Sequence, residues 1–62
     1  MKLFKVRKDT LNLIDVKRKY SAFLYDAEDL SKIIDIDVCE KNKKYIIKEK
    51  LTNRNFSIER IK

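Results

Sequence analysis

The sequence predicts a single small α+β domain, one helix on a mostly antiparallel sheet, in the order β-β-α-β-β-β. Three observations lead there. Short stretches near both ends alternate apolar and charged side chains with a period of two, as half-buried strands do. Near the middle, an aspartate followed by further acids has the chemistry of a helix start. The 62 residues include no glycine and no proline, so the turns fall to Asp and Asn, which tolerate left-handed backbone best among the remaining residues.

Residues 2–8 read as the first strand, with Phe4 and Val6 alternating against charged neighbours and Asp9-Thr10 as its boundary. Residues 13–25 read as the second. One face of it collects Ile14, Val16, Tyr20, Ala22 and Leu24, with Arg18 the exception, and Tyr20 to Tyr25 is rich in the aromatics that strands favour. Asp26-Ala27-Glu28-Asp29 then reads as an N-cap and acidic first turn, which places the helix over 27–35. A competing reading is one long helix over 11–34, giving β-α-β-β, because Leu13, Val16, Tyr20, Phe23, Ala27, Leu30 and Ile34 also form an apolar stripe at helical spacing. Ile36 and Val38 suggest a short third strand. A turn at Lys41-Asn42-Lys43 leads to a strand over 44–51 with Tyr45, Ile47 and Leu51 on one face. A turn at 52–55 leads to the last strand over 56–61, built on Phe56 and Ile58.

The composition bounds the function. There is no histidine and only one cysteine, Cys39. A Ser–His or Cys–His nucleophile is therefore excluded, and so are the common zinc sites. No glycine loop is present to cradle a phosphate. Asp35 and Asp37 share a face if their stretch is extended, but solvated acids are far commoner than a cation site. The expectation is a protein without catalysis, cofactor or metal. Cys39 is expected as a small core residue, and a lone cysteine fits a reducing cytoplasm. No apolar run approaches the ~20 residues that span a membrane. The Lys-, Ile- and Asn-rich, alanine-poor composition points to an AT-rich genome, as in low-GC bacteria and their phages and mobile elements.

Charge is unevenly placed. Residues 1–20 carry seven basic and two acidic side chains. Residues 21–40 carry Lys32 against Asp26, Glu28, Asp29, Asp35, Asp37 and Glu40. Residues 41–62 carry eight basic and two acidic. The basic–acidic–basic order, with a net charge of +6, predicts an acidic face suited to docking on a basic partner. Lys17, Arg18 and Lys19 beside Tyr20, and Lys43 and Lys44 beside Tyr45, carry a second reading. Basic side chains next to aromatics on a sheet hold single-stranded nucleic acid by charge and stacking.

The tail Asn55-Phe56-Ser57-Ile58-Glu59-Arg60-Ile61 resembles the Asn-Phe-Asn-Ile-Glu-Phe-Ile stretch of the epsilon subunit of low-GC Gram-positive RNA polymerases. That family also opens with a Lys-Val strand, which Phe4-Lys5-Val6 resembles. Its second strand leads directly into a helix, as Tyr20 to Ile34 does in the reading above. Here, residues 36–51 insert strands between the helix and the matching tail, and no functional residue carries over. In size, composition and layout the chain is similar to the small orphan proteins of low-GC phages, many of which bind and disable one host machine.

The function expected is that of a small non-catalytic binding protein, encoded by a phage or mobile element. It would dock through its acidic face onto a cytoplasmic host protein or nucleoprotein complex, such as a CRISPR effector (an anti-CRISPR role), a nuclease or a polymerase. Two alternatives stand beside it: a nucleic-acid-binding module using the basic clusters, and a homodimeric structural or regulatory subunit.

Overall fold

The computed structural model describes residues 1–62. Strands β1 (Leu3–Val6) and β2 (Asp9–Asn12) form a hairpin that runs straight into helix α1 (Leu13–Lys19). Then come β3 (Tyr20–Asp26), β4 (Ile33–Asp35), a single 3-10 turn (Ile36–Val38), β5 (Lys44–Glu49) and β6 (Asn55–Arg60). The six strands form one sheet in the order β2-β1-β6-β5-β3-β4, and every neighbouring pair is antiparallel. The α+β class and the β-β-α-β-β-β order are those the sequence predicts, with one strand more after the helix. No helix is long and apolar enough to cross a membrane.

The helix lies elsewhere than predicted. Residues 13–19 of the expected second strand are helical, only 20–26 are strand, and 27–35 contain no helix. The long helix over 11–34 is ruled out as well, because β3 occupies its centre. The Asn12 side chain caps α1 by accepting the Asp15 N–H at 2.9 Å. Asp15 sits in the first turn, and Lys17, Arg18 and Lys19 sit in the last, the arrangement the helix dipole favours at each end. Seven residues are too few to hold a helix by propensity alone, and fully buried Val16 anchors it to the core.

At Asp26 the expected capping hydrogen bond exists, but it builds a turn. Asp26 Oδ1 accepts the Glu28 N–H at 2.8 Å, and the Asp26 carbonyl accepts from Asp29 N at 3.2 Å. The Asp29 carbonyl then accepts from Lys32 N at 3.0 Å. Two successive β-turns thus replace the first turn of a helix. A short carboxylate serves an N-cap and an Asx turn equally well. The β-branched Ile33 and Ile34 that follow pair with β3, with Tyr25 opposite Ile33 and Leu24 opposite Ile34. The strand expected at Ile36 and Val38 therefore falls three residues earlier. Asp35 caps the 3-10 turn through the Asp37 N–H, and that turn buries Ile36.

Asn42 (φ 61°) and Asn53 (φ 58°) take left-handed backbone in the turns expected to need it. The third such residue is Arg7 (φ 58°), at the β1–β2 turn, whereas Asp9 and Asn55 are strand residues. For arginine this conformation costs about 1–2 kcal/mol.

The core lies on one face of the sheet. Phe4, Val6, Leu24, Tyr45, Ile47 and Ile58 point inward from the strands, closed over by Val16, Tyr20, Ile36 and Cys39. Tyr20 meets Phe56 edge-to-face at 6.1 Å between ring centroids. Leu51, expected on this face, is 91% exposed in the β5–β6 turn. Strand pairing ends at Glu49, so Leu51 has no sheet position from which to reach the core.

Candidate binding surfaces

Strand alternation sends the neighbours of the core residues to the opposite face, which no element covers. The registers order that face into rows. Ile33, Tyr25, Ile46 and Ser57 lie side by side across β4, β3, β5 and β6. Asp35 lies beside Phe23, and Lys48 beside Asn55. Glu59 stands between Lys44 and Lys5. The β3–β4 loop adds Ala27 and Leu30, which line a shallow depression with Tyr25, Ile46 and Asn55.

Apolar side chains on the open face therefore gather at Ile33, Phe23, Tyr25 and Ile46, bordered by Asp35, Lys44 and Lys48, while Glu59 and Lys5 occupy the β6–β1 end. Phe23 is 55% exposed, Leu30 64% and Ile33 56%. Scattered exposed apolar residues are ordinary on a protein surface; here they adjoin one another across β4, β3 and β5, which makes the group a candidate surface. The sequence held a signal for this patch. Once Tyr20, Ala22 and Leu24 are assigned to one strand face, Phe23 and Tyr25 are left on the other.

Of the predicted acidic residues, Asp26, Glu28 and Asp29 precede β4, Asp35 ends it, and Asp37 and Glu40 follow it. Asp26 is buried and pairs with Lys43 Nζ at 3.0 Å, and Glu40 lies 3.7 Å from the same amine. The Glu28 hydrogen bond, and then Lys43, hold the Asp26 carboxyl below the usual range. Asp29 accepts from both the Ser31 hydroxyl and the Ser31 N–H, which lowers its pKa. Asp35 caps the 3-10 turn, and Asp37 pairs with Lys17 at 3.0 Å, which lowers the Asp37 pKa. Asp26, Asp29, Asp35 and Asp37 thus each have a local structural task. The Glu28 carboxylate makes no such bond, and Glu40 reaches only the Lys43 amine already held by Asp26.

The predicted nucleic-acid residues also fall at two places. Lys17, Arg18 and Lys19 end α1, where the Lys50 N–H donates to the Lys19 carbonyl at 3.0 Å. Lys43 and Lys44 lie at the other end of β5, about 20 Å away at ~3.3 Å per strand residue. Tyr45 is 2% exposed. Its hydroxyl accepts the Glu40 N–H at 3.0 Å, and Lys43 stands over its ring at 5.6 Å. Both ring and hydroxyl are thus engaged within the fold, and the ring is closed to a base. Cys39 is buried in the core, and burial pushes its thiol pKa up, so the unreactive thiol prevails at neutral pH.

Comparison with known protein families, curated proteins and solved structures finds no match.

Proposed function

We propose that this chain is a small non-catalytic binding protein that docks onto another protein, or a nucleoprotein complex, through its open sheet face and thereby modulates it. The observation that carries this reading is the contiguous apolar patch of Phe23, Tyr25, Leu30, Ile33 and Ile46 on a face with no covering element. Fully burying a large apolar side chain contributes about 1.5–3 kcal/mol. Phe23, Leu30 and Ile33, each already partly covered, offer a partner roughly 3 kcal/mol together, before any polar contact.

The partner that fits is a protein surface with an apolar centre and basic side chains toward the β4 edge, where Asp35 borders Phe23 and Glu28 projects from the adjoining loop. This keeps the acidic contribution expected from the sequence but makes it the rim of an apolar site. The AT-rich composition supports an origin in a phage or mobile element, with a host nuclease, polymerase or CRISPR effector as the kind of target.

The test is quantitative co-purification from the source cell with tagged wild type, a Phe23→Asp/Ile33→Asp variant and Ile14→Asp. Ile14 is an exposed residue of α1, away from the open face. The proteins retained by wild type and by Ile14→Asp should fall at least tenfold with the double variant, while circular dichroism shows all three folded. Equal retention by the folded double variant refutes docking through this face.

A further inference from the structure

Three stretches far apart in sequence meet at one end of the sheet. They are the β1–β2 turn (Arg7, Lys8), the last turn of α1 (Arg18, Lys19) and the β5–β6 turn (Lys50, Arg54). Arg7, Lys8, Asp9, Lys19 and Tyr20 line one shallow depression. Lys50 reaches α1 twice, through its N–H to the Lys19 carbonyl at 3.0 Å and through Nζ to the Lys17 carbonyl at 2.7 Å. The Arg54 carbonyl closes the β5–β6 turn by accepting the Glu49 N–H at 2.8 Å.

All six basic side chains are exposed. The protein's three ion pairs involve only Lys17 and Lys43 as cations, so none of the six has a carboxylate partner. The acids at this end are few. Asp37 is held by Lys17, Glu49 accepts from the Thr52 hydroxyl at 2.6 Å, and Asp9 lies beside Lys8. At the opposite end Asp26, Glu28, Asp29 and Glu40 stand among Lys2, Lys32, Lys41, Lys43, Lys44, Arg60 and Lys62, of which Lys43 is held by Asp26 and Arg60 donates to the Cys39 carbonyl. Six unpaired cations against Asp9 and Glu49 give this pole the larger share of the net charge of +6.

We propose that this basic pole binds the phosphate backbone of duplex nucleic acid, without reading its sequence. The aromatics at the pole point to the duplex over the single strand. Tyr20 is 1% exposed and has Lys19 over its ring at 5.7 Å. Phe56 is half-buried under the Arg7 guanidinium at 5.2 Å. Both rings hold cations in place and leave no face for a base to stack on, which single-strand binders require. The pole consists of two turns and the end of a seven-residue helix packed on the core through Val16, a blunt surface suited to phosphates rather than base edges. Arg7 adds a second argument. It occupies a left-handed turn position that Asn or Gly would fill at lower cost, and such outliers cluster at functional sites.

Fluorescence anisotropy tests this with labelled duplexes of ~20 bp in two unrelated sequences, the matching single strands, and vesicles containing phosphatidylserine as a competing anionic surface. With about five phosphate contacts, duplex affinity should fall several-hundredfold between ~50 and ~200 mM salt, and equally for both sequences. A Lys8→Ala/Arg18→Ala/Arg54→Ala variant should weaken binding at least thirtyfold at fixed salt and reduce the salt slope by about three. Lys32→Ala/Lys41→Ala/Lys44→Ala, which removes the same charge from the other end, should change affinity less than threefold. Arg7→Asn should weaken duplex binding with no loss of thermal stability, which separates binding from folding. No duplex binding at low salt, equal losses in the two triple variants, tighter binding to single strands, or binding to vesicles alone would each overturn the proposal. Docking through the open face is a separate reading and survives any of these results.

Discussion

Asp26 is the one charged residue buried in this protein, and its surroundings keep it charged. The Glu28 N–H and the Lys43 amine both favour the carboxylate, outweighing the desolvation that opposes it. Because its folded-state pKa is lowered, Asp26 contributes stability that is present above the ordinary carboxylate range near ~3.9 and lost as pH falls through its folded value. Asp29 and Asp37 act in the same direction. Lys43 has its pKa raised, first by the Asp26 hydrogen bond. Its contribution is complete below the ordinary lysine range and is lost as pH rises through its folded value. Stability should therefore hold level through neutral pH and decline in acid. Urea-unfolding midpoints measured between pH ~5 and ~2 should fall more steeply for wild type than for Asp26→Asn. The amide can still accept the Glu28 N–H but no longer titrates. Identical slopes would show that the Asp26–Lys43 pair contributes nothing. The chemistry of Asp26 as an acceptor of backbone N–H groups was legible in the sequence. Its burial and its partner were not, because Lys43 lies 17 positions away and only the β3–β5 pairing brings them together.

At the scale of elements, class and order were readable because alternation at Phe4/Val6, Tyr45/Ile47 and Phe56/Ile58 is a local signal of strand. Helix placement was not, because two sites carry the same capping chemistry. Asn12 and Asp26 each offer a side-chain oxygen to a backbone N–H two or three residues on. What separates them is tertiary. Residues 33–35 have an open strand edge of β3 to pair with, whereas residues 13–19 have Val16 to bury and a basic last turn to complement the helix dipole. Helix α1 therefore depends strongly on its cap. Asn12→Ala should cost about 1 kcal/mol, measured by chemical denaturation. A cost below ~0.3 kcal/mol would mean that core packing alone fixes the helix. The two proposed surfaces were legible in part. The basic triplet at 17–19 stood out, but its companions Arg7, Lys8, Lys50 and Arg54 join it only through antiparallel pairing. Phe23 and Tyr25 were obscured because aromatic residues in a strand read first as core.

At the scale of the whole molecule, 62 residues measuring 27 × 26 × 19 Å leave room for one core and little else. A domain of this size buries only about 60% of its unfolded surface, so no second layer covers the sheet, and one face stays open as a direct consequence of chain length. The antiparallel order also gathers three turns at one end, and with them the unpaired cations. The same topology thus generates an apolar face and a basic pole, which together suit a partner that is itself a nucleoprotein. The most direct measurement places a photo-crosslinking amino acid at Ile33 in one variant and at Lys50 in another, in the cell that makes the protein. Position 33 should crosslink to a protein and position 50 to nucleic acid within one complex. If the two positions give the same crosslinks, or neither gives more than a control at Ile14, the division of labour between face and pole is contradicted.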